Sequence, residues 1–236
     1  MEGRRTRGDG GPAVKATKRD RIVAELRRMI QAGEIPRGAR VQQDALAELF
    51  ATSITPVREA LRLLEAEGLL VGEPHRGVRV ADADADAIKA IYLQRRLLEP
   101  YAMKRAVRRL SPRDLDQAVR LLDTMESLHR SGNDKLVPTS NREFHFLFYD
   151  HCGNDGLRAQ IDLLWQQWPW DLLGVIGDRA SSAPAEHREI LKAARAGDAD
   201  RVAAATEAHL VGSYLDLASH LSGVAQTADP FEIDVD

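Results

Sequence analysis

Apolar positions recur at helical spacing from Thr17 onward. Ile22, Leu26, Met29 and Ile30 fall on one side of a helix that Thr17 can cap and Gly33 ends. Ile35-Pro36-Arg37-Gly38 is turn chemistry. A short helix is predicted near Gln43–Phe50, with Leu46, Leu49 and Phe50 turned inward. Another is predicted over Ser53–Glu67, where Val57, Ala60, Leu61 and Leu64 stand at i, i+3, i+4 and i+7 and form a buried stripe. Ser53 can cap it, Pro56 sits in the first turn where its missing N–H costs nothing, and Gly68 stops it. The period then shortens. Leu69-Leu70-Val71 and Val78-Arg79-Val80 flank a turn rich in Gly and Pro, which predicts a hairpin. Helix, helix, short turn, helix, hairpin over residues 17–80 is the order of a winged helix-turn-helix.

After the acidic stretch Ala81–Asp86 the pattern is helical throughout. The predicted helices are Ala85–Arg109, Pro112–Arg130, Asp134–His151, Asp155–Gln167, Asp171–Arg179, Ala183–Ala196 and Ala199–Leu221. Ser111-Pro112, Ser131-Gly132-Asn133, Gly153-Asn154, Pro169, Pro184 and Gly197-Asp198 separate them. The fold class is therefore mainly α: an N-terminal winged helix-turn-helix plus a C-terminal all-α helical bundle. The domain boundaries read from these patterns are a flexible basic tail at 1–16, the winged domain at 17–80, a linker at 81–86, an all-helical domain at 87–222 and an acidic tail at 223–236.

Composition agrees with this reading and removes other classes. The 236 residues are 44% hydrophobic and 29% charged, a soluble globular balance, and only 5% aromatic, which favours helices over a β-sandwich. The single cysteine, Cys152, excludes an internal disulfide framework and a cysteine-based zinc site. No run of about 18 apolar residues is present, and the N-terminal arginines precede no apolar core, so a cytoplasmic protein without a membrane partner is expected. Residues 1–80 carry 15 Lys/Arg against 11 Asp/Glu, and residues 81–236 carry 18 against 25. A basic first third joined to an acidic remainder suggests that the first part meets a polyanion, although a basic tail is equally a solubility feature.

The Ser53–Glu67 helix has the layout of a recognition helix. Ile54, Thr55, Arg58 and Arg62 lie off the buried stripe near the N-terminus, where such a helix enters the major groove. Arg58 suits a guanine edge or a phosphate; Ser53 and Thr55 suit phosphates. Alone, the helix also reads as an ordinary amphipathic surface helix; the short helix before it and the hairpin after it decide for DNA. The stretch LAELFATSITPVREALRLLEAEGLL followed by HRGVRV resembles the GntR family of bacterial transcription regulators over residues 17–80. The resemblance implies operator binding by a dimer through Ser53, Thr55, Arg58 and Arg62 and through Arg76-Gly77 at the wing tip. Many relatives carry Arg where this chain has Ile54, and often a basic residue near Asp44.

Seven histidines are present. His145 follows Asn141 at i+4 on one helix face, His187 lies in Glu186-His187-Arg188-Glu189, and His209 lies in Glu207-Ala208-His209. Three imidazoles from three helices can build a metal site in a bundle core, with positions left open for a small molecule, but a lone histidine on a helix is more often structural or exposed. Here too a resemblance bears on the choice. Residues 85–221 look like the ligand-binding domain (FCD type) of the FadR branch of GntR regulators. That likeness implies a divalent metal held by Asn141, His145, His187 and His209, although many members place Asp at the Asn141 position. Zinc, nickel and manganese all suit imidazole-rich ligation. Acyl-CoA-binding members lack the histidine set, so the expected effector is a small organic acid that binds the metal through its carboxylate. Arg95 or Arg96 is a candidate second anchor, and a salt bridge of that pair with Glu99 is an equal alternative. The expected function is a ligand-responsive repressor acting as a homodimer, and not an enzyme. The competing readings are a metal-dependent hydrolase using the three histidines and a metal-free sensor of the same fold.

Overall fold

The computed structural model describes residues 17–73, 77–133, 137–173, 177–229 and 231, and side chains outside 173–182. The expected tail at 1–16, Arg76 at the wing tip and the last five residues lie outside the described residues.

Helix α1 (Lys18–Gln31) starts in a capping box: the Thr17 hydroxyl accepts from Asp20 N–H, and the Asp20 carboxylate accepts from Thr17 N–H. Strand β1 (Arg40–Val41), α2 (Gln43–Leu49), α3 (Ile54–Ala66), β2 (Leu70–Glu73) and β3 (Gly77–Val80) complete the first unit. Its sheet has the order β1-β3-β2, antiparallel, with Val41 opposite Val78 and Leu70 opposite Val80. Ile22, Leu26, Val57, Leu61, Leu64, Leu70 and Val80 make one core between α1, α3 and the sheet. Strand β1 was not expected; two residues show no alternation to read. Leu49, expected inward, is 59% exposed, and Leu46 alone of α2 is buried. Ser53 has the extended backbone of an N-cap, yet its hydroxyl makes no capping bond.

The second unit is helical: α4 (Ala85–Ala106), α5 (Pro112–Arg130), α6 (Val137–Tyr149), α7 (Asp155–Gln167), α8 (Trp170–Leu173), α9 (Gly177–Arg195) and α10 (Ala199–Ser222). Its core is separate and holds Tyr92, Met103, Phe144, Phe148, Tyr149, Trp165, Trp168, Ile190 and Leu210. Three differences from the expected helices stand out. Of the expected Asp171–Arg179 helix, the described residues 171–173 lie in α8 and 177–179 in α9. Helix α9 runs through Pro184, where a break was expected. The missing proline N–H removes one backbone bond there, but the helix continues on either side. The tail after Ser222 folds back at Asp229, which pairs with Arg96, and at Phe231, which packs on Tyr214.

The two units touch through a small polar contact. The Arg37 guanidinium binds both oxygens of Asp171 at 2.7 and 2.8 Å and donates to the Ala81 carbonyl; Gln31 donates to the Gln166 carbonyl.

Candidate metal centre and DNA-contact surface

Helices α9 and α10 form an antiparallel hairpin. Gly197 takes φ +68° to end the first, and the Asp198 carboxylate caps the second by accepting from Arg201 N–H. That turn brings His187 opposite His209. Helix α6, anchored by Phe144, Phe146 and Phe148 in the core, adds His145. The three imidazoles are 0%, 3% and 6% exposed for His145, His187 and His209, and one ligand nitrogen from each lies within 4.8 Å of the others. His145 Nε2 is 3.0 Å from His187 Nε2. Two nitrogens bound at about 2.0–2.1 Å to one ion stand ~2.8–3.4 Å apart, from octahedral to tetrahedral geometry, so the spacing fits an ion. Cysteine takes no part: Cys152 is buried beside the Asn154 carbonyl.

The surroundings of the imidazoles are specific. His209 Nδ1 lies 2.8 Å from a Glu186 carboxylate oxygen, so the Nδ1–H can donate there and Nε2 keeps its lone pair. Tyr149 O–H lies 3.5 Å from His145 Nδ1 and donates to Glu99 at 2.6 Å. Glu99, fully buried, also accepts from Arg95 Nε at 2.6 Å and Trp165 Nε1 at 2.9 Å. Burial opposes the Arg95 charge. The charge and hydrogen bond of Glu99, with Tyr92 and Tyr149, together outweigh it, and Arg95 holds its proton more tightly than a free arginine. Burial, then the Glu99 charge, pushes the Tyr149 phenol well above its ordinary range, so it stays a donor. The Arg95 guanidinium stacks among Tyr92, Trp165 and Trp168. Trp168 Nε1 is buried there with no hydrogen-bond partner among the described residues.

Of the residues expected at this site, His145, His187 and His209 meet. Asn141 lies one turn before His145 on α6 and is half-buried. Arg95 joins His145 through Glu99 and Tyr149. Arg96 does not share that network; its guanidinium is held by Glu207 and Asp229 and covered by Phe231. The expected alternative, a salt bridge to Glu99, is what Arg95 makes. Sequence reasoning missed Glu186, Tyr149 and Trp165. Tyr149, four residues after His145, was within reach of a helical-spacing search; Glu186 and Trp165 act across helices and leave no local signal.

On the winged unit, Ser53, Thr55, Arg58 and Arg62 are all exposed at α3. No acidic residue stands in the first turn of α3, which suits an approaching phosphate. Arg58 Nε donates to the side-chain oxygen of Gln43, at the start of α2, at 3.4 Å. Gly77 has φ +85° at the start of β3, a conformation a side chain would strain.

Both units resemble known proteins. Residues 18–80 match the family described as bacterial regulatory proteins, gntR family, and residues 90–212 match the FCD domain. The uncharacterized HTH-type transcriptional regulator YdhC of Bacillus subtilis (strain 168) is 29% identical over 171 residues, 71% of this chain and 76% of that protein. The probable D-xylose utilization operon transcriptional repressor of Paenarthrobacter nicotinovorans is 28% identical over 221 residues, 91% and 93% of the two chains. The structure of E. coli McbR/YncC superposes with a TM-score of 0.77 at 23% identity, over 87% of this chain and 99% of that one, a likeness of fold.

Proposed function

Because the chain belongs to the GntR family of bacterial regulatory proteins, in the FadR-like branch with an FCD domain, we propose that it is a repressor relieved by a small carboxylate bound at a divalent ion. That it is a DNA-binding transcription regulator and not an enzyme follows from the family. The metal, the effector, the repressor role and the homodimer are this proposal. No described helix is long and apolar enough to cross a membrane; action on operator DNA supports a cytoplasmic protein.

The observation that carries the reading is the convergence of three buried imidazoles from three helices. His145, His187 and His209 would hold the ion, with Asn141 as a weak neutral fourth ligand; zinc, nickel and manganese all suit the set. When bound, the ion supplies open positions for a carboxylate. Arg95, though paired with Glu99, is the candidate anchor that reaches the histidines through Glu99 and Tyr149, and the N–H of Trp168 beside it, without a partner among the described residues, is a buried donor that a carboxylate oxygen would satisfy. Arg96, committed to Glu207 and Asp229, serves the C-terminal segment instead.

DNA contact falls to Ser53, Thr55, Arg58 and Arg62, with Arg76 and Gly77 on the wing. The family's operator binding supports this set. A dimer is supported by α4, where Leu93, Leu97 and Tyr101 stand at i, i+4 and i+8 and are 44%, 67% and 53% exposed. A second copy of the same face would cover them and pair two winged units on a palindrome.

One observation favours the metal-free alternative: the His145–His187 contact at 3.0 Å is also a satisfied hydrogen bond. Elemental analysis separates the two. The purified protein should carry about one divalent ion per chain, and His187→Ala and His209→Ala should lose it. A metal content near zero in the folded wild type, or one unchanged in both variants, overturns the metal reading.

A further inference from the structure

The N-terminal turn of α3 presents an apolar side chain beside its arginine. Ile54 is the first residue of the helix and 39% exposed. It belongs to neither apolar core, and the buried stripe of α3 is Val57, Ala60, Leu61 and Leu64. Ile54 and Arg58 stand four residues apart, one above the other at the end of the helix that enters the groove. The major groove offers hydrogen-bonding groups on all four bases, thymine O4 included, and one apolar group, the thymine 5-methyl. Isoleucine set against a guanine or adenine edge, or against the cytosine amino group, would strip water from polar atoms without replacing it. Against a phosphate it makes no bond. We propose that Ile54 reads the 5-methyl group of a thymine within one or two base steps of the base that Arg58 faces. The proposal rests on α3 being the recognition helix and assigns that helix a specificity it would not have through its polar residues alone.

The test uses the full-length protein and operators selected from random duplexes by repeated binding. Each thymine of the half-site is replaced in turn by uracil, which removes only the methyl group. One position per half-site should lose affinity by about fourfold, the worth of one buried methyl. Ile54→Ala should bind the thymine operator more weakly by a similar factor and no longer distinguish uracil at that position. Ile54→Val, which keeps the branched end, should still distinguish them. Arg58→Ala should weaken both operators while leaving the thymine-to-uracil ratio in place. A flat uracil scan, or a sensitive position whose ratio survives Ile54→Ala in a folded protein, overturns the proposal for Ile54. Selection that yields no preferred sequence, or full affinity in Arg58→Ala, overturns the recognition-helix reading itself.

Discussion

Glu186 settles which nitrogen His209 offers. Its carboxylate sits 2.8 Å from Nδ1, so the Nδ1–H donates there and Nε2 is left with the lone pair a metal would take. Glu186→Gln keeps an acceptor of the same shape but removes the charge. Metal affinity should fall by about 10–100-fold, the usual cost of an altered outer partner, in a competition titration against a chelator. Unchanged affinity would mean that Glu186 only shields the site. A second residue-scale expectation concerns the start of α5. The Ser111 hydroxyl accepts from Asp114 N–H, and the Asp114 carboxylate accepts from the Ser111 N–H and hydroxyl. Those bonds, the side-chain one first, hold the Asp114 carboxyl below its ordinary range. A depressed carboxyl pKa stabilises the fold above the unfolded value and stops doing so as pH falls through the folded one. Ser111→Ala should therefore cost about 0.5–2 kcal/mol in urea unfolding at pH 7, and the gap should narrow below pH 4. A gap that stays constant into acid would show that the cap does not depend on the charge.

At the scale of elements, α3 and α4 present the outward-facing surfaces of the proposed function. Arg58→Ala should weaken operator binding by about 1–3 kcal/mol, the worth of one bidentate base contact. The fold should survive, since Arg58 is exposed and off the Val57, Leu61 and Leu64 stripe. Equal affinity at matched salt, measured by fluorescence anisotropy, would remove α3 from the interface. Leu97→Lys sets a charge in the middle of the exposed α4 stripe and should shift light scattering from dimer to monomer. A dimer as tight as wild type would place the interface elsewhere. The element boundaries were legible where caps and glycines speak: Ser111 and Pro112 start α5, Asn154 caps α7, and Gly197 with Asp198 turns α9 into α10. They were illegible where tertiary packing overrules local chemistry. The Trp168-Pro169-Trp170 corner between α7 and α8 is fixed by the Trp170 indole Nε1–H donating to the Trp165 carbonyl. The three histidines could be named from the sequence, but their meeting depends on how α6, α9 and α10 cross. The buried network of Arg95, Glu99, Tyr149 and Trp165 joins α4, α6 and α7, and only its i,i+4 pair showed in the sequence.

Across the whole molecule, the two units have separate cores and a narrow link. Trp165 packs its ring 5.2 Å from His145 and 4.8 Å from Trp170, and Asp171, the next residue, holds Arg37 of the winged unit. A change at the imidazoles thus has a contiguous route of packed rings to a salt bridge at the domain boundary. Such a route transmits only if ligand affinity differs between the two arrangements of the heads. Asp171→Asn should leave metal content intact while reducing the response of DNA binding to ligand.

The most direct test is operator affinity of the metal-loaded protein, titrated with a panel of small mono- and dicarboxylates, in wild type and in His187→Ala. At least one carboxylate should weaken operator binding by about 5–150-fold in wild type, the usual range of coupling between two sites. Operator DNA should weaken that carboxylate by the same factor. His187→Ala should bind the operator as wild type does and ignore the carboxylate. A response of equal size in His187→Ala would show that the three histidines are not the sensor.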